Sequence, residues 1–165
     1  IAIMNDGRLE QFTEPKVAYE QPASPFVANF LGQSSRVDGT LALDGADPVV
    51  ELPSGASVSV LDRGNFGDGE EVAVFLRNEL VSVARDQPDA ANAFEGVVRD
   101  IDYQGRDVIY FVESESLDVT VMVSGESSRA GTDLLEPGES VWLSIPPADV
   151  IYTGRKRKAA AGGVS

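Results

Sequence analysis

Apolar and polar residues alternate along most of this chain with the two-residue period of a half-buried strand. The first run is Ile1-Ala2-Ile3-Met4. Asn5-Asp6-Gly7 follows, three residues that tolerate positive φ, and Arg8 to Phe12 returns as the second arm of a hairpin. The period then changes. Thr13 is an expected N-cap, with Pro15 in the first helical turn, and Val17, Ala18 and Tyr19 give an apolar side before Pro22 ends the segment. Ser24 and Pro25 open a second short helix, in which Phe26, Val27, Phe30 and Leu31 form one stripe predicted to be core. Gly32 reads as its left-handed stop.

From residue 35 onward the strand period governs. Ten runs are predicted: Arg36–Leu43, Val49–Leu52, Ala56–Leu61, Glu71–Arg77, Leu80–Ala84, Phe94–Tyr103, Asp107–Val112, Leu117–Val123, Glu139–Ile145 and Val150–Tyr152. Gly, Pro, Asp and Asn clusters separate them. The order of features repeats. VDGTL, VVELPSGASVSV and GEEVAVFLRNELVSV are followed by FEGVV, VIYFVESESLDVTV and GESVWLSIPPADVIY. Gly39 corresponds to Gly96, and Gly69-Glu70-Glu71-Val72 to Gly138-Glu139-Ser140-Val141. The expectation is a mostly β chain. Residues 1–34 form a hairpin and two short helices, 35–85 and 94–153 are two tandem repeats of an OB-like barrel region, 86–93 is a linker, and 154–165 is a disordered basic tail. Two half-barrels and two small barrels sharing strands both satisfy the pattern.

Composition narrows the chemistry. Of 165 residues, 13 are Lys or Arg and 27 Asp or Glu, for a net charge of −14. Four of the thirteen cations lie in Arg155-Lys156-Arg157-Lys158, leaving nine against 27 elsewhere. Such a body repels phosphate backbones, so no nucleic-acid partner is expected. Neither His nor Cys occurs, which removes His-assisted nucleophiles, His-ligated metals, thiolates and disulfides from these residues. No G-x-x-x-x-G-K-[ST] phosphate loop occurs either.

Three further constellations carry weaker signals. Asp100, Asp102 and Asp107 flank a Tyr103-Gln104-Gly105 turn; a cation site and a solvated acidic turn are the two readings, and the second is the more ordinary. Trp142 and Phe111 have the form of stacking platforms, but without neighbouring cations they are expected to pack in the core. Arg77 and Glu79, two apart on a predicted strand, are expected to share a face, either as an interface contact or as an ordinary ion pair.

The first 32 residues also carry a resemblance. IAIMNDGRLEQ, Pro15, Val17, Ala18-Tyr19, Pro22, Phe26-Val27-Ala28, Phe30-Leu31 and Gly32 resemble the signature P-x-x-[IV]-Y-x-x-P-x-x-x-F-V-A-x-F-[IL]-G. That signature closes the ATPase domain of ABC importer subunits of the maltose/sulfate/polyamine/iron group. A regulatory β-barrel region of TOBE type follows it there, as the doubled pattern follows it here. The sequence departs from the family at three places: Phe12-Thr13-Glu14 lacks the usual Gly, Gln33-Ser34-Ser35 follows Gly32, and Asn78 of Arg77-Asn78-Glu79 stands where the family carries a rigid Pro.

The resemblance implies that residues 1–34 are the end of an ATPase domain lying upstream. The barrels would then be its regulatory and dimerisation region, with Arg77, Asn78 and Glu79 as candidate regulatory or interface residues. It implies a homodimer working with permease subunits and a solute-binding protein, on the cytoplasmic face of the membrane. ATP and Mg belong to the upstream domain; no catalytic residue, cofactor or metal is expected in these residues, which are not expected to be an enzyme on their own. A sulfate-like anion is the favoured cargo, and a small-ligand sensor giving feedback on transport is the alternative.

Overall fold

The computed structural model describes residues 1–43, 45, 47–126 and 134–155. Strands β1 (Ala2–Asn5) and β2 (Arg8–Phe12) form the predicted hairpin. Asp6 and Gly7 turn it with φ of 47° and 74°. Helix α1 (Pro15–Glu20) begins after Glu14, one residue later than expected, and no side chain caps it. Helix α2 (Pro25–Phe30) is capped as predicted, with the Val27 amide donating to Ser24 Oγ at 3.4 Å.

All ten predicted strands are present. They are β3 (Ser34–Ala42), β4 (Val49–Glu51), β5 (Ser57–Ser59), β6 (Glu71–Arg77), β7 (Ser82–Ala84), β8 (Ala93–Gln104), β9 (Asp107–Ser114), β10 (Val119–Glu126), β11 (Ser140–Ser144) and β12 (Ile151–Gly154). They build two antiparallel five-stranded sheets of order β12-β6-β3-β4-β5 and β7-β11-β8-β9-β10. The repeat is visible in the register: Gly39 stands opposite Val72, and Gly96 opposite Val141. Both glycines are there for closeness. A Cβ on Gly39 would lie 2.5 Å from the Glu51 carbonyl oxygen, and one on Gly96 2.5 Å from a Val112 methyl.

The sheets do not follow the repeat boundaries. β7, the last strand of the first repeat, is an edge of the second sheet, beside β11. β12, the last strand of the second repeat, is an edge of the first, beside β6. Each repeat thus completes the other. The apolar faces meet in one core running from Val37, Val50 and Val74 on one sheet to Val98, Val121 and Leu143 on the other. The segment read as a linker ends in a clamp. Asn92 is fully buried and holds β5 by accepting from the Ser59 amide (2.7 Å) and donating to the Ser59 carbonyl (2.9 Å). The segment read as a tail also begins as structure. Gly154 closes β12, and Arg155 pairs with Glu71 (3.0 Å) and Asp38 (3.4 Å). Residues 156–165 lie outside the described residues.

A strand of two-residue period buries one face and offers the other, and β6 departs from this. It is buried on both. Val72, Val74 and Leu76 point into the main core, while Ala73 and Phe75 meet Ala28 of α2 and Ile151 of β12. This contact seats the helices on the barrel. It also changes the fate of the α2 stripe: Val27 and Ala28 are fully buried, but Phe30 is 65% exposed and stacks on Phe26 at 5.9 Å.

Candidate functional site

The Arg77-Asn78-Glu79 tripeptide lies where β6 runs out, against the joint between the helices and the first sheet. Arg77 and Glu79 do not share a strand face, because β6 ends at Arg77 and Glu79 falls in the following turn. They do not pair with each other. They grip Tyr19 of α1 from two sides.

Arg77 is completely buried. Its guanidinium carbon lies 3.8 Å from the centroid of the Tyr19 ring, and Nη2 donates to the Tyr19 carbonyl at 3.0 Å. A desolvated cation over a ring face is a favourable contact, roughly 2 kcal/mol. The Tyr19 hydroxyl donates to the Glu79 carboxylate. Burial first, and then this bond to a negative group, raises the Tyr19 pKa above its usual value of 10.0. Gly32 completes the cage. A Cβ there would sit 1.9 Å from Arg77 Nη1 and 3.6 Å from the Tyr19 ring. Gly32 is not the left-handed stop that its position suggested, since Leu31 caps α2 in ordinary helical conformation and Gly32 has no positive φ. Its lack of a side chain makes room for the guanidinium.

Asn78 takes hold of the same joint one residue on. Its amide and its side-chain Nδ2 both donate to Gln33, each at 3.3 Å, and its carbonyl accepts from the Ser124 amide of β10 at 3.0 Å. A Pro at this position would have no N–H to give to Gln33. The tripeptide therefore binds three parts together: helix α1, the strap of residues 31–34, and the second sheet. Arg77 Nε and Nη1, Asn78 Oδ1 and Ser34 Oγ are enclosed with no protein partner, a concentration of unmet polar atoms found at this joint. Arg77 and Asn78 face inward and offer nothing to a partner's surface; Glu79 is the exposed member.

The other predicted residues stand apart. Among the described residues no group of three or more acidic side chains is placed to hold a metal. Asp100 and Asp102 are engaged locally, with the Ile101 amide (2.8 Å) and with Gln104 Nε2 (2.8 Å). Trp142 and Phe111 are half-buried on the outward face of the second sheet, not in the core, because their neighbours Val141, Leu143, Tyr110 and Val112 take the inward positions. Beside Phe111 lies a cleft of about 600 Å³, bounded by residues 29–34 on one side and by β8, β9 and β10 on the other. Sequence reasoning missed it, since its two walls lie about 70 to 90 residues apart in the chain.

Residues 74–152 match the TOBE domain family. That span crosses both strand exchanges, from β6 to β12, and so covers the part in which the repeats complete each other. The chain carries a TOBE domain. Its relatives include the spermidine/putrescine import ATP-binding proteins PotA of Thermobifida fusca, 33% identical over 153 residues, and of Rubrobacter xylanophilus, 30% identical over 162 residues. The matches take in 89% and 95% of this chain but only 38% and 41% of those relatives. The TOBE chain thus spans about two fifths of the length of the ABC importer subunits it matches. The architecture also matches a solved structure of the cytoplasmic molybdate-binding protein ModG with molybdate bound, at a TM-score of 0.58 and 21% identity, over 72% of this chain and 94% of that one. That likeness is one of fold. No helix among the described residues is long and apolar enough to cross a membrane.

Proposed function

We propose that this TOBE domain is the regulatory and tethering part of an ABC importer's ATP-binding subunit, passing movement between an ATP-driven domain and a paired barrel. The observation that carries this reading is the clamp of Arg77, Asn78 and Glu79 on Tyr19 and Gln33. The hairpin and helices are the part that resembles the end of an ATPase domain. They are bolted to the barrel through a buried cation, so a displacement of one is a displacement of the other. A barrel paired with a second copy keeps two ATP-driven domains at high effective concentration while their sites are open. The full importer supplies ATP, Mg, permease subunits and a solute-binding protein. Its ATP-binding subunit works from the cytoplasmic side of the membrane.

The names of the relatives favour a polyamine cargo over the sulfate-like anion first expected. Sedimentation velocity tests the tether, with Trp142, the single tryptophan, as an independent reporter on the outward face of the second sheet. Dimer at tens of micromolar, with a shift in tryptophan emission on dilution, is the expected result. Monomer throughout the high micromolar range removes the tethering role.

A further inference from the structure

Arg77 is the one charged side chain that is fully buried among the described residues, and no carboxylate there pairs with it. Glu79, two residues on, is exposed and takes the Tyr19 hydroxyl instead. The carbonyl and ring of Tyr19 offer the guanidinium only partial charges. A buried ion calls for a counter-charge, because its desolvation is otherwise uncompensated. Two of its nitrogens, Nε and Nη1, are enclosed without a partner. Nη1 lies against the backbone of Gly32. Nε lies nearer the main chain, on the face that Arg77 shares with Ser34, its direct cross-strand partner. Such partners have Cβ atoms about 5 Å apart, so one small ion is within reach of both side chains. Ser34 Oγ is likewise enclosed and unpartnered. The end of the β3–β6 ladder therefore presents a charged N–H donor and an O–H donor on one face. Asn78 Oδ1, also unpartnered, is an acceptor and no part of this donor set.

We propose that a small monovalent anion, chloride, binds between Arg77 Nε and Ser34 Oγ as the counter-ion of the clamp. The site stands on the geometry of the clamp and not on the importer role. One cation balances one negative charge, so a dianion such as sulfate would bring in a charge with no partner. Ser34 is half-buried, and its side gives a small ion the shortest way in. The acidic body opposes any anion, so the affinity rests on these local donors alone. The bound ion neutralises the guanidinium where β6, the strap of residues 31–34 and helix α1 meet. The joint between helices and barrel is then held more firmly with chloride than without it.

Thermal unfolding of the whole chain tests this, with sodium chloride titrated against sodium gluconate at equal ionic strength. Chloride is expected to raise the melting temperature saturably, by about 4 °C at an excess of about tenfold over its Kd. Arg77→Met, which keeps the volume and removes the charge, should abolish the difference between the two salts. Ser34→Ala, a smaller change at a half-buried position, is expected to shift the chloride midpoint about threefold upward. In amide NMR the Ser34 and Arg77 signals should follow the same saturation curve as the melting temperature. An equal response to gluconate, with water alone meeting these groups, overturns the assignment. So does a chloride-specific rise that survives in Arg77→Met, a midpoint unmoved by Ser34→Ala, or shifts that leave Ser34 and Arg77 unaffected. Sedimentation in gluconate reads the tether separately, so failure of the anion site and failure of the tether are told apart.

Discussion

Arg77 is a buried cation whose nearest partners are a carbonyl, a ring face and the bare backbone of Gly32. Such a group contributes position more than stability, because desolvating a charge offsets most of what its contacts return. Arg77→Met fills nearly the same volume without the charge and is expected to change the unfolding free energy by no more than about 1 kcal/mol. Arg77→Ala leaves a void and is expected to cost about 3 kcal/mol. Urea denaturation separates the two. Gly32→Ala forces the guanidinium off the Tyr19 carbonyl and is expected to cost about 2 kcal/mol. In an Arg77→Ala background that penalty should vanish. A Gly32→Ala cost that survives there would show that the Cβ meets something other than the guanidinium. The candidate tripeptide was legible in the sequence as a family position, but its contacts were not. Tyr19 lies 58 residues from Arg77 and Gln33 45 from Asn78, and no local pattern encodes either meeting.

Among the elements, the edge strands decide the architecture. Strand β5 has three residues and is paired on one side only by β4. Asn92 takes hold of it from the segment just ahead of the second repeat, bonding both backbone groups of Ser59. Asn92→Ala would take away the partners of the half-buried Ser59 N–H and C=O, at an expected cost of about 1 kcal/mol. Hydrogen exchange should show the loss first at the Ser59 amide. A change confined to residues 86–91 would mean that the segment is a plain connection after all. The strand period placed β3 to β12 within a few residues, because inward Val and Leu positions alternate with outward polar ones over most of their length. It failed on β6, where every residue from Val72 to Arg77 is buried because α2 covers the second face. It also misjudged Phe30, whose helical spacing is right but whose side of α2 faces the cleft.

At the scale of the molecule, strand exchange makes the two repeats one folding unit. β7 and β12 each tie one repeat into the other's sheet, and the apolar cluster runs across both. A single cooperative unfolding transition is expected, with near- and far-ultraviolet circular dichroism coincident in urea. Two separated transitions would mean that each half holds its own core. The pH response follows from the tyrosines. Burial, and then the negative charge of Asp62, pushes the Tyr152 pKa up to about 12, while its hydroxyl donates to the Asp62 carbonyl at 2.5 Å. The unfolded chain then ionises this residue more readily than the folded one, so the stability is intact below pH 10 and is lost as pH rises from there toward 12. Tyr19 acts in the same direction. Tyr152→Phe is expected to flatten the fall in melting temperature between pH 10 and 12; an unchanged slope would assign the alkaline loss to other groups. At the acid end, Glu139 is held below its usual range by its hydrogen bond from Arg85 and then by the Glu136 amide. Its contribution is present above about pH 4.5 and fades below it.

By itself the sequence determined the local terms: the positive-φ turn at Asp6-Gly7, the Ser24 cap, the strands, the repeat marked by Gly39 and Gly96, and the resemblance to an importer's ATP-binding subunit. These depend on neighbours a few residues away, or on spacing that a one-dimensional pattern preserves. The tertiary structure decided which sheet each repeat's last strand joins, why Gly32 is glycine, and what Arg77 holds. It also decided that Phe30 and Asp102 face one cleft. These are meetings between residues far apart in the chain, selected by the shape of the packed core rather than by the preference of any segment, and so no reading along the sequence contains them.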